Sequence, residues 1–194
     1  MAVGWPMRRK LIVLSTVLFL WGFAAGYALP LVSPEAARAL YSLIREAVIG
    51  KIGGSITPGP WLSLAIFVNN VRVALVTLAL GLTVIVPAIV VAGNGALLGL
   101  VSSMAISTGR PLLVVLASIL PHGVFEIPAL IYTASVSLEL GALLWMRVLG
   151  KAGGLEAALR RLPRDVAIIV ALFLLAALLE GLVTPAVVAL VQSL

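Results

Sequence analysis

The chain's 194 residues are 62% hydrophobic and only 10% charged, with a net charge of +6, whereas an ordinary soluble domain is about 45–50% apolar and about 25% charged. Too few polar residues are present to cover a wetted surface, so the solvent is lipid and the expected fold is an all-α polytopic transmembrane helix bundle. With no Cys and one His, the chain cannot form disulfides, iron–sulfur clusters, Cys-based zinc sites or a multi-histidine cage, and it has no glycine-rich phosphate loop.

Arg8, Arg9 and Lys10 precede an apolar run from Leu11 to Val32. The run is as long as a full span, so residues 1–32 read as a retained transmembrane anchor rather than a cleaved signal. Ser33-Pro34-Glu35 is a helix start, with Ser as N-cap, Pro at the first helical position and an acid in the first turn. Leu40, Leu43, Ile44, Ala47 and Val48 then recur at helical spacing, predicting a short amphipathic helix on the membrane surface. Gly53-Gly54-Ser55 to Pro58-Gly59-Pro60 closes this second segment, 33–60, as a loop.

Residues 61–194 form the transmembrane core. Trp61 to Ile106 is apolar for 46 residues, about 69 Å as one helix against a hydrocarbon core of about 30 Å, so it makes two spans with a turn near Gly81. Thr108-Gly109-Arg110-Pro111 is the next loop. Leu112 to Met146 is also too long for one span, and Pro121, Gly123 and Pro128 are expected to break it into a half-helix and a full helix. Arg147 to Arg164 reads as a basic loop, and Val166 to Val191 as the last span. With five spans and the N-terminus inside, Lys and Arg number eight inside against four outside, as the positive-inside rule requires. Six spans with the opposite orientation give nine against three, so charge does not choose between them, and about five spans, one broken near Pro121–Pro128, are expected. The basic excess is accounted for by these loops and by anionic lipid, and nucleic acid is not an expected partner.

Several polar residues fall where lipid should be. Arg72 lies about 17 Å beyond Trp61, with Asn69 and Asn70 one turn earlier, and Glu180 lies about 21 Å into the last span. A charge at the bilayer centre costs about 2.5–3.5 kcal/mol on insertion scales, so such groups face partners or water. Arg72 could pair with Glu126 or Glu180 and lock the bundle. One deep cation against two deep carboxylates still leaves a carboxylate that carries a proton, holds His122 as imidazolium, or holds a cation. His122 and Glu126 are four apart and share a helix face, and Pro128 leaves the Val124 carbonyl without its helical donor. Transporters place ion sites at discontinuous helices of this kind. As a metal site, His122 and Glu126 are incomplete unless Glu180 or a second chain joins them. Asn94-Gly95, inside the third span, reads as helix packing, as do Gly22, Gly26, Gly81, Gly99 and Gly141.

Four stretches together resemble the stage II sporulation protein M family of integral membrane proteins. They are Phe67-Val68-Asn69-Asn70-Val71-Arg72-Val73-Ala74, Asn94-Gly95-Ala96-Leu97-Leu98-Gly99, Pro121-His122-Gly123-Val124-Phe125-Glu126-Ile127-Pro128 and Leu179-Glu180-Gly181-Leu182-Val183-Thr184-Pro185. The third is the most specific, and the resemblance runs from about Trp61 to the C-terminus. It implies a prokaryotic cell-membrane scaffold resembling the family's namesake, which works with cell-wall hydrolases that lie outside its own chain.

Two readings follow. One is a non-catalytic scaffold or assembly factor that recruits membrane or cell-surface proteins, with its polar residues acting as glue. The other is a channel or transporter for a cation, proton or small solute, working as a homodimer through His122 and Glu126. An intramembrane hydrolase would need His122, Glu126 and Glu180 to hold a metal and water. The sequence carries no complete catalytic set, which points away from an enzyme, and no cofactor is expected.

Overall fold

The computed structural model describes residues 4–51, 57–151 and 153–193, and among them there is no strand. Seven α-helices follow in order: α1 Gly4–Val32, α2 Pro34–Lys51, α3 Pro60–Ala79, α4 Ile85–Ser107, α5 Leu112–Val148, α6 Leu155–Leu178 and α7 Thr184–Gln192. A 3₁₀ turn, Leu80–Thr83, extends α3, and a π-helical turn, Leu179–Val183, joins α6 to α7. Five of the resulting rods are long and apolar enough to cross a membrane: Met7–Val32, Pro60–Thr83, Ile85–Ser107, Leu112–Val148 and Leu155–Gln192. An all-helical bundle is what a lipid solvent demands, because each helix satisfies its own backbone polar groups.

The turn expected near Gly81 is present, and so is the Thr108–Pro111 loop, where Gly109 takes a φ of 84°. α2 begins at Pro34, with the Ala37 N–H donating to the Ser33 carbonyl at 3.0 Å. It turns Ala37 toward the bundle and leaves Leu40 and Leu43 outward, as suits a helix lying on the membrane surface. The expected Gly53-Gly54-Ser55 loop lies outside the described residues, as do the side chains of Ala47 and Val48.

Two expectations are corrected. The span Leu112–Val148 is one continuous 37-residue helix, with Pro121 and Pro128 inside it. Each proline removes a single helical hydrogen bond. A full break would strand several backbone groups in hydrocarbon at several kcal/mol each, so continuing the helix is cheaper. Gly123 therefore marks no break, and no second backbone approaches it: a Cβ there would meet only the Ile119 and Ile127 side chains, at ordinary contact distances. The basic segment Arg147–Arg164 is also mostly helix, since α6 starts at Leu155. Leu155 and Ala158 pack on Leu143 of α5, which holds this first part of α6 in place.

α1 lies along α4, and small residues set the spacing. A methyl group at Gly26 would run into the Ala96 carbonyl, and one at Gly95 into the Phe19 carbonyl. Backbones this close gain the van der Waals contact that holds membrane helices together. Gly81 and Gly141 make a similar contact between the α3–α4 turn and α5. That contact sits at the end of the candidate span Pro60–Thr83. α5 is about 55 Å long at 1.5 Å per residue, so its last turns and the start of α6 extend beyond the α3–α4 turn.

Gly95→Val should overpack the α1–α4 seam and destabilise the protein by about 1–3 kcal/mol, whereas Gly123→Ala should be neutral or stabilising. Thermal unfolding of the two variants in detergent, side by side, checks this contrast.

Candidate functional site

The structure brings together residues from three separate rods within the bundle. His122 and Glu126 sit one turn apart on α5, with His122 Nε2 3.9 Å from Glu126 Oε2. Glu180 reaches them from the π-helical turn, and one ligating atom from each of the three lies within 4.8 Å of the others. Asn70 on α3 closes the group through a long 3.5 Å contact from its amide Nδ2 to Glu126 Oε1. The π turn is the irregularity that the sequence reading placed in α5. It widens the helix around Glu180-Gly181, and π-bulges of this sort are frequent at functional sites. The Gly181 carbonyl accepts a 2.9 Å bond from the Gly59 N–H, which ties the turn to the start of α3.

The cluster is half-buried. The His122 side chain is 14% exposed and that of Glu126 is 32% exposed. The His122 Nδ1 atom is buried and has no hydrogen-bond partner among the described residues. Glu180 stands where a third ligand beside His122 and Glu126 would have to be for a metal to bind. One nitrogen and two carboxylates leave a coordination position open, as in sites where a metal meets water or substrate rather than in closed structural sites.

Arg72 is not part of this group. It is exposed on the outer face of α3 and makes no ion pair among the described residues, so it pairs with neither Glu126 nor Glu180. The reason is rotation: Arg72 follows Asn70 by two residues, about 200° around the helix, so a helix that turns Asn70 inward turns Arg72 out. Asn69 is exposed as well. Asn94 is half-buried in the α1–α4 region and donates to the Val90 carbonyl of its own helix at 2.8 Å, away from the cluster.

Sequence reasoning missed a second buried polar group. Arg8 of α1 donates through Nε to Glu139 of α5 at 2.6 Å and through a terminal nitrogen to Asp165 of α6 at 2.6 Å. Tyr132 donates to Asp165 at 2.7 Å, and Arg161 donates to Glu139 at 3.0 Å. Glu139 is fully buried. Its signal was present, a carboxylate inside the apolar run Leu112–Met146, but the cations that answer it stand in segments read as an anchor flank and a loop. The charge count changes as a result. Glu139 and Asp165 are neutralised by Arg8 and Arg161, while neither Glu126 nor Glu180 has an Arg or Lys partner among the described residues.

A cavity of about 440 Å³ opens at the end of the bundle where α2 lies. Tyr41, Arg45, Arg110, Ser118 and Ile119 are among the residues that line it. Ser118 and Ile119 are one helical turn from His122 on the same side of α5.

The family model for stage II sporulation protein M matches residues 15–185. The chain belongs to the stage II sporulation protein M family. No curated protein and no solved structure matches it. The family match extends further toward the N-terminus than the four stretches quoted above and takes in most of α1. That is consistent with the packing, in which α1 is a wall of the bundle against α4.

Arg8→Met should leave Glu139 and Asp165 buried with reduced compensation, a loss of about 3–5 kcal/mol for a broken buried pair. The exposed neighbour Arg9→Met should be nearly silent. Unfolding temperatures of both variants in the same detergent test this.

Proposed function

We propose that this family member conducts or couples a proton or small cation through the His122–Glu126–Glu180 cluster. One observation carries the reading: two carboxylates and an imidazole from two rods meet within the bundle with no Lys or Arg partner among the described residues. Two bare carboxylates this close repel strongly in a low dielectric, so the pair holds a cation or shares a proton. Asn70 steadies Glu126, and His122 stands where it can pass a proton to or from that carboxylate. The cavity ending one turn from His122 is the natural approach from the α2 side.

A second reading, a scaffold for other membrane or cell-surface proteins, is favoured by α2. This helix presents Leu40 and Leu43 outward at the bundle's end. Under that reading, changes at α2 would abolish partner co-purification and changes at Glu126 would not.

In proteoliposomes under a pH gradient or an applied voltage, the wild type should carry proton or cation flux, and Glu126→Gln should lower it at least tenfold with the fold intact. Absence of flux in both proteins would move the function to the scaffold.

A further inference from the structure

The chain carries two complementary electrostatic deficits. Arg72 is exposed in the middle of a membrane span, in a shallow groove with Phe67, Val68, Val71, Leu75 and Val76. Glu126 and Glu180 lack an Arg or Lys partner among the described residues, and Glu126 is one-third exposed, so it can be reached from outside the chain. Arg72 and Glu126 lie at a similar depth: Asn70, only two residues before Arg72 on α3, contacts Glu126 Oε1 at 3.5 Å, whereas Glu180 sits nearer the start of α3, where Gly59 bonds the Gly181 carbonyl.

An arginine at that depth is too far from either headgroup layer to reach phosphate, since half of a hydrocarbon core of about 30 Å lies on each side of it. It is costly against lipid alone. An anion within the membrane is needed, and the chain holds one at the same level. We propose that two copies pair in the bilayer so that Arg72 of the partner subunit meets the Glu126 carboxylate, and the reverse. Copies inserted with the same orientation are related by an axis along the membrane normal, which leaves depth unchanged and lets residue i meet residue j while j meets i. Each copy offers one cation and receives one. The candidate site is then completed by the partner subunit, with one negative charge left over for a proton or cation.

The test counts subunits, so its failure is separable from failure of the transport reading. The chain has no Cys, so a single label goes on at Gly153→Cys in the α5–α6 loop of full-length protein. Photobleaching steps are counted in phosphatidylcholine–phosphatidylglycerol vesicles over a range of protein densities. The wild type should pair. Arg72→Leu, and separately Glu126→Gln with Glu180→Gln, should each weaken pairing about tenfold or more. The double reversal Arg72→Glu with Glu126→Arg should recover it relative to either reversal alone. Arg72→Leu touches no ion pair within the chain, so its helicity should match the wild type and serve as the folding control. A wild type that stays single at every density overturns the inference, including one that instead captures a different membrane protein through Arg72. Unchanged pairing in Arg72→Leu or in the Gln variant also overturns it.

Discussion

A charge placed at the centre of a hydrocarbon slab costs about 2.5–3.5 kcal/mol on insertion scales unless something answers it, and the arrangement of this bundle follows from how each charge is answered. Arg8, Glu139, Asp165 and Arg161 answer one another and fasten α1, α5 and α6 together. Among the described residues, Glu126 and Glu180 are answered by neutral or titratable neighbours, Asn70 and His122. Arg72 is turned outward. The three solutions differ in consequence. A closed network such as that at Glu139 gives rigidity, whereas carboxylates without a fixed cation leave room for an exchangeable one.

The same low-dielectric constraint governs the backbone. Pro121 and Pro128 would end a helix in water, but in lipid the helix continues through them because a break would expose more unpaired groups than two prolines remove. The irregular turn sits instead at Leu179–Val183, where the neighbouring α3 takes up a carbonyl through Gly59. Bundle packing follows from small residues. Gly26 and Gly95 let α1 and α4 touch backbone to backbone, which fixes α1 as a structural wall.

Much of this is legible in the sequence, and what is not has identifiable causes. Run lengths alone indicate a polytopic bundle of five or six spans and the turn at Gly81, because bilayer thickness is a hard ruler; the continuous α5 decides for five candidate spans. The i, i+4 spacing puts His122 and Glu126 together. Glu180 is visible as a deep carboxylate, but its approach to them depends on how rods far apart in sequence pack. Arg72 was open to pairing with either glutamate on depth alone; the angular offset from Asn70 decides against both within one chain. Glu139 was hidden by its partners: Arg8 and Arg161 stand in segments whose basic residues read as topology signals, although they also close a buried network. Pro121, Gly123 and Pro128 misled because proline rules calibrated in water overstate the break in lipid.

The proximity of His122, Glu126 and Glu180 makes them one electrostatic unit. His122 is the only histidine in the chain, so protein with ¹⁵N-labelled histidine in lipid nanodiscs gives one imidazole spectrum. Its tautomer and response to pH should change in Glu180→Gln as well as in Glu126→Gln, and stay as in wild type in Arg9→Met. A His122 spectrum indifferent to Glu180→Gln would contradict the assembled site.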